Sequence, residues 1–407
     1  MTGGPRRPVP APHDAPASHD AAAPYDAAAP HAAPGPRPVP FPDDRHRRPS
    51  RDRLRHRALF YATDAEFRDA ATAYLAEGAA AGDVLVVILP EPRRRLLVAA
   101  LLASAARSAS GAAPAPDPAS GRPGGVPDIE FLDAADWYGG PTKALASFHE
   151  RGRTDWWRRG RLRVLAEPPW DCRSPLELVE WQRHEALLNV VFDATSTILT
   201  CAYDIRVVPG EVLADAARTH PVFADAEGEW RNPSYADPAA FYAECNRSPL
   251  APPPPSAAHR RFTTGQLPDV RDFLSGQAER LGLPHDRRLP FLLAANEVAT
   301  AVVRHGGGSG DLWVWATADE LVCELADPAA RVEDRFLGHI PPRLDRPAEA
   351  AMWAVRCLCH IVEIRSDARS GTRVRLHTRL EEPPAGPPAD PPSGLPTAPP
   401  PVPQGRR

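Results

Sequence analysis

The stretch DVLVVILP, residues 83–90, contains a run of large apolar residues from Val84 to Leu89 without a polar interruption. A strand with one face in water alternates apolar and polar side chains, so this run predicts a strand buried on both faces. Helical patterns stand on either side of it, DAEFRDAATAYLAEGAAAG before and EPRRRLLVAALLASAARS after. A buried strand between two helices is typical of a layered α/β fold.

Three further strands are predicted downstream: a short one at the start of DIEFLDAADWY (128–138), one at RLRVLAEPPW (161–170) and one at STILTCAYD (196–204). A long helix, PLELVEWQRHEALLNVVFD, separates the last two. Strands that alternate with helices of this length indicate a mostly parallel, doubly wound sheet. Ligands of such sheets bind at the carboxyl ends of the strands, where Glu167 and Asp204 would lie.

Glu167 and Asp204 are candidates for an acid–base pair, although carboxylates at strand ends also serve as helix caps or remain in solvent. The segment after the apolar strand, EPRRR, lacks the glycines and the Ser/Thr of a phosphate-binding loop. Arg93, Arg94 and Arg95 at the start of that helix could meet an anion or form a solvated basic turn.

Several short motifs together resemble a MEDS-type sensory domain: RHRALFY, GDVLVVIL, FLDAADWY, LRVLAEPPW, EWQRHEALLN and CAYD, over residues 53–207. The resemblance implies a sensory role and a degenerate, RecA-like α/β sheet without a known ligand. The residues carried over as candidates for ligand binding are His56, Tyr61, Glu167, Glu185, Asn189 and Tyr203.

The distribution of the 51 prolines divides the chain. Residues 1–52 and 383–407 are Pro-rich and poor in large apolar residues, which predicts disordered arms. A Pro-rich linker, 248–261, would separate the sensory domain, 53–247, from a second domain, 262–382. The interruption at 108–125 predicts a flexible surface loop.

The second domain has the pattern of an α+β two-layer sandwich: two helices, two alternating strands, a further helix and a closing hairpin. The string NEVATAVVRHGGG…VCELADP…AMWAVRCLCHIVEIRS…GTRVRLHTRL resembles the histidine-kinase-like ATPase superfamily, and within it the actinobacterial anti-sigma-factor serine kinases. In that family a helix supplies a Glu and, four residues later, an Asn that holds Mg²⁺ against ATP.

The match to that family is incomplete. Glu297 stands at the position of the catalytic base, and five residues match ATP-binding positions: Asp327, Arg304, His305, Gly371 and Thr372. The Mg²⁺-binding Asn is replaced by Ala301, and the glycines that follow the adenine-binding Asp are replaced by Pro328 to Arg331. The resemblance therefore implies weak ATP binding at most, no Mg²⁺ site and a degraded ATP site.

Three functions remain open on the sequence. The protein is a non-catalytic signalling regulator that binds a sigma factor or an anti-anti-sigma partner, an active ATP-dependent serine/threonine kinase, or a small-molecule enzyme that uses Glu167 and Asp204. The net charge of -4 gives no field that favours nucleic acid or anionic lipid. A cytoplasmic protein without a membrane span is expected, with six reduced cysteines and with a homodimer as an open alternative.

Overall fold

The computed structural model describes residues 53–109, 127–170, 173–342 and 347–381, and all of them lie in one compact unit. The two predicted arms and most of the predicted surface loop lie outside these residues. Within the described part of the chain, no helix combines the length and the apolarity needed to cross a membrane.

The first part of the chain alternates strands and helices in the predicted manner. Its elements, in chain order, are β1 (Arg55–Tyr61), α1 (Asp64–Ala81), β2 (Val84–Leu89), α2 (Glu91–Ala109), β3 (Ile129–Asp133), α3 (Ala134–Trp137), α4 (Pro141–Arg151), a π-helical turn (Gly152–Trp156), α5 (Trp157–Arg159), β4 (Leu162–Ala166), α6 (Pro175–Val191), β5 (Thr197–Asp204), α7 (Gly210–Thr219), β6 (Val222–Ala224), β7 (Glu229–Arg231) and α8 (Pro238–Cys245).

The strands form a seven-stranded sheet in the order β3-β2-β4-β5-β1-β6-β7. All neighbours in it are parallel except β6 and β7. Apolar residues from α1 and α2 pack on one face of the sheet, and those from α4, α6 and α7 pack on the other. The parallel pairs confirm the prediction of a mixed α/β architecture with a parallel-rich sheet. Strand β2 is buried at every position, as its apolar run predicts.

Strand β1 is missing from the sequence prediction. Its first three residues, Arg55, His56 and Arg57, are polar, so the strand does not begin with an apolar run. Within the sheet these side chains have partners: the Arg57 Nε donates to the Thr200 hydroxyl at 3.0 Å. Buried polar side chains are tolerated when they are hydrogen-bonded, and this gives a central strand a polar end.

The second part of the chain forms an antiparallel sheet, whereas the α+β pattern of the sequence left a mixed or an antiparallel sheet open. Its elements are β8 (Ala258–Thr263), α9 (Leu267–Arg280), α10 (His285–His305), β9 (Ser309–Ala316), β10 (Glu320–Asp327), α11 (Pro347–Leu358), β11 (Ile361–Asp367) and β12 (Gly371–Arg379). The five strands lie in the order β11-β12-β10-β9-β8. Strand β8 begins inside the stretch predicted as a linker and pairs with β9.

Candidate functional site

A buried cluster of chemically active side chains lies between the first sheet and α6. His56 of β1 and Cys201 of β5 point from the same face of the sheet, because the two strands are parallel neighbours. Glu185 approaches from α6, and His220 approaches from the end of α7. Their potential ligand atoms all lie within 4.8 Å of one another. We call these four residues the His–Cys–Glu cluster.

Burial controls the protonation of the cluster. Removal from water lowers the pKa of both His56 and His220 to about 3, so both imidazoles are neutral. Burial and the neighbouring Glu185 carboxylate raise the pKa of the Cys201 thiol well above its usual value. Two neutral imidazoles, one thiol and one carboxyl group therefore share a site that solvent does not reach.

Asn189, one turn after Glu185 on α6, orients the cluster from outside. Its side-chain amide nitrogen donates to the Thr219 carbonyl at 2.8 Å, which leaves its oxygen to accept from His56 Nδ1 at 3.2 Å. His220 Nδ1 donates to the Ala216 carbonyl at 2.8 Å. Both imidazoles thus direct their Nε2 atoms into the cluster.

A narrow void touches the cluster through Glu185 and is also lined by Trp170 and Tyr203. Among the described residues, the Tyr203 hydroxyl and the Trp170 indole N–H have no hydrogen-bond partner. The two rings stack with their centroids 6.0 Å apart. Buried polar groups usually have partners, but the gap between these side chains has no room for a water-sized molecule.

Tyr61 and Glu167 do not join the His–Cys–Glu cluster but meet at the carboxyl edge of the sheet, where the Tyr61 hydroxyl donates to Glu167 at 3.1 Å. The Arg93 guanidinium lies 3.7 Å from Glu167 and donates to Asp204 at 2.5 Å. Burial raises the pKa of Glu167 to about 7, against the opposing effect of Arg93. Hydrogen bonds from Arg206 lower the pKa of Asp204.

The prediction of a solvated basic turn is wrong for Arg93, whose side chain is largely buried, whereas the Arg95 side chain is exposed. Arg93 lies between Glu167 and Asp204 because the start of α2 follows β2 at the edge where β4 and β5 also end. The two carboxylates therefore share a protein cation. The third strand-end carboxylate, Asp133, accepts from the backbone N–H of Ala135 and caps α3.

A mostly apolar cavity of about 630 Å³ opens beside α10 in the second part of the chain. Five predicted site residues line it together with Ala301: Glu297, Arg304, His305, Asp327 and Thr372. The sixth, Gly371, has a φ of 82°, and a Cβ there would lie 2.2 Å from the Asp327 carbonyl oxygen. Gly371 is thus required by the turn into β12 whether or not a ligand binds.

The Asp327 carboxylate at the base of this cavity is only 2% exposed. Its Oδ1 accepts from the backbone N–H groups of Ala329 at 2.9 Å and Ala330 at 3.0 Å. Its Oδ2 accepts from Gly307 at 3.3 Å. Backbone groups of the protein therefore already engage both carboxylate oxygens.

Helix α6 connects the His–Cys–Glu cluster to the second sheet. At its first turn, Glu177 accepts hydrogen bonds from His360 Nε2 at 2.9 Å and from Arg379. Although burial acts against it, the bond from His360 and the nearby Arg379 charge lower the pKa of Glu177. One helix thus contacts both the cluster and the second sheet.

These features describe an α/β domain with four side chains of metal-ligating types buried together in its interior. Residues 55–221 match the family model of the MEDS domain, the methanogen/methylotroph, DcmR sensory domain. This segment is therefore a MEDS domain, and its presence indicates a role in signalling. No curated protein matches the chain.

Two members of the cluster are not among the site residues predicted from the sequence. Cys201 stands inside the CAYD motif without being a predicted site residue, and His220 follows α7 without any motif around it. The four side chains come from four separate elements, so no spacing along the chain identifies them as a set. The predicted residues His56, Glu185 and Asn189 lie in or beside the cluster, and Tyr203 lies against the His220 ring at 5.7 Å between centroids.

Proposed function

We propose that the protein is a signalling regulator in which the MEDS domain detects a small ligand and the second domain transmits the response to a protein partner. The observation that carries this proposal is the position of α6. Glu185 of this helix belongs to the buried cluster, while Glu177, about 12 Å earlier at 1.5 Å per residue, holds His360 and Arg379. A shift of α6 caused at one end would move the hydrogen bonds at the other.

The unpartnered Tyr203 hydroxyl and Trp170 indole N–H support a small polar ligand in the MEDS domain. Such a ligand would supply the missing hydrogen bonds. Because the gap that the three side chains line has no room for a water-sized molecule, entry of the ligand would displace them, Glu185 of α6 included. Binding there would shift the equilibrium of the helix only if the ligand prefers one of its positions.

The second domain resembles the histidine-kinase-like ATPase domain of anti-sigma-factor kinases, and we propose that it binds a sigma factor or an anti-anti-sigma partner without phosphoryl transfer. Phosphoryl transfer depends on positioned Mg²⁺ and phosphates. The Ala301 side chain has no atom that binds a metal, and the Asp327 carboxylate is held by the backbone of Ala329 and Ala330. Adenine would have to compete with those bonds.

Titration calorimetry of the full chain with ATP, with and without Mg²⁺, tests the non-catalytic reading. We expect weak binding or none, without dependence on Mg²⁺. The Ala301→Asn variant should behave like the wild type, because the bonds to Asp327 are unchanged. Micromolar, Mg²⁺-dependent affinity in the wild type would contradict the proposal.

An active serine/threonine kinase is the alternative, and it is favoured by the position of Glu297, Arg304 and Thr372 around one cavity. Transfer of labelled phosphate to a candidate partner would support it if Glu297→Ala abolished the transfer. The matched control is Glu279→Ala, because Glu279 is an exposed carboxylate on α9. Equal loss in both variants would indicate a structural effect.

A further inference from the structure

The spacing of the His–Cys–Glu cluster fits a metal ion. His56 Nε2 lies 3.4 Å from Cys201 Sγ and 3.5 Å from Glu185 Oε2. Glu185 Oε2 lies 3.5 Å from His220 Nε2 and 3.7 Å from Cys201 Sγ. A tetrahedron with zinc bonds of about 2.0–2.3 Å has edges of about 3.3–3.7 Å between ligand atoms. Four of the ligand pairs match that edge.

Hydrogen bonding does not satisfy these groups without a cation. The Nδ1 atoms of His56 and His220 face the Asn189 oxygen and the Ala216 carbonyl, so both neutral rings direct Nε2 lone pairs towards Glu185. Within the described residues, His220 Nε2 has no hydrogen-bond partner although its residue is 0% exposed. The Cys201 thiol can donate only one proton, whereas the two histidine Nε2 atoms and the Glu185 carboxylate are three acceptors. A cation between them would satisfy all four.

The outer contacts are also those of a metal site. Histidines that bind metals usually donate their second ring N–H to a carbonyl, a carboxylate or a similar acceptor, and this fixes the ring. Asn189 and the Ala216 carbonyl have these roles here. Charge selects the ion: one thiolate and one carboxylate neutralise a divalent cation, so the buried site as a whole carries no net charge.

We propose that His56, Glu185, Cys201 and His220 bind one Zn²⁺ ion in a closed, four-coordinate site. On binding, the Cys201 S–H bond breaks, its proton passes to solvent, and the thiolate bonds to the metal through its own electron pair. The ion joins β1, β5, α6 and the end of α7. Because four protein ligands fill a tetrahedral site, its role is structural, and no position remains for an activated water.

Metal analysis of the purified full chain after dialysis against zinc tests this site. We expect one zinc per chain and a thermal unfolding temperature that falls when a chelator removes the ion, since metal binding contributes directly to folding. A folded wild-type chain that takes up no zinc would overturn the proposal.

Cobalt substitution identifies the ligands without depending on stability. Cobalt bound to a thiolate gives a sulfur-to-metal charge-transfer band, which Cys201→Ser should abolish. Zinc affinity should fall by more than about 100-fold in that variant, because loss of an outer-shell partner alone costs roughly 10–100-fold. Asn189→Ala should lower zinc affinity by only roughly 10–100-fold and keep the charge-transfer band.

The matched controls are Cys323→Ser and His184→Gln, since both residues are buried and lie outside the cluster. Both variants should retain one zinc per chain and the charge-transfer band. A Cys201→Ser variant that keeps the band and the wild-type affinity would overturn the assignment, as would loss of the band in Cys323→Ser.

Discussion

The Glu177 carboxylate at the start of α6 lies 2.9 Å from the His360 imidazole of the second sheet. The same side chain closes a capping box, because its other oxygen accepts from the Ser174 backbone N–H at 2.7 Å. One carboxylate therefore fixes both the first turn of α6 and its contact with the second part of the chain. A displacement of this first turn would therefore change the contact with His360.

The ion pair between Glu177 and Arg379 should couple the two parts of the molecule energetically. In a double-mutant cycle with Glu177→Gln and Arg379→Gln, we expect an interaction energy of about 1–2 kcal/mol, since the pair is largely shielded from solvent. Urea unfolding gives the four free energies. The exposed pair Glu150–Arg153 is the control and should give well below 1 kcal/mol. Equal values for both pairs would exclude a specific role for Glu177.

Glu167 should make the protein less stable as the pH rises. Burial raises the pKa of this group from 4.5 to about 7, so the folded protein holds more protons than the unfolded chain between these values. The free energy of unfolding therefore falls as the pH increases through this window. Glu167→Gln should remove this fall in the free energy of unfolding. At pH 8 the variant should be more stable than the wild type by up to about 3 kcal/mol. Parallel pH profiles for the two proteins would contradict this prediction.

His377 should contribute stability that disappears in mild alkali. It lies between Glu320 and Glu363, with ring nitrogens 2.9 Å and 3.2 Å from their oxygens. Burial acts against protonation, but these two bonds raise the pKa of His377 from 6.5 to about 9. The contribution is complete below pH 6.5 and is lost as the pH rises through 9.

His377→Gln should therefore cost about 2–3 kcal/mol at pH 6 and much less at pH 9.5. Denaturant unfolding at both pH values measures the difference between the variant and the wild type. A cost that does not change with pH would mean that lost packing, rather than the imidazolium charge, explains the effect.

Gly371 should be needed for folding rather than for nucleotide binding. An alanine Cβ would lie 2.2 Å from the Asp327 carbonyl oxygen and would also have to adopt a φ of 82°. We expect Gly371→Ala to destabilise the protein by more than about 2 kcal/mol. The control is Gly82→Ala at the end of α1, where φ is 71° but no atom lies within 4 Å of the added Cβ. That variant should lose only about 1 kcal/mol, and both are compared by thermal unfolding.

The amino-acid sequence determined the layered α/β part through one property, the unbroken apolar run of β2, which only a strand covered on both faces can bury. It also determined the helices and the closing hairpin of the second sheet, because their periodicity is local. It selected His56, Glu185 and Asn189 through a resemblance of motifs, and the family match to residues 55–221 confirms the MEDS domain.

Only the tertiary structure decided which of these residues act together. His56 and Cys201 face each other because β1 and β5 are parallel neighbours although they are far apart in the chain, and His220 reaches them because α7 ends beside β6. The same packing placed Arg93 between Glu167 and Asp204 and engaged Asp327 with the backbone. Side-chain distances between separate elements depend on how the sheet is ordered, and local periodicity contains no information about that order.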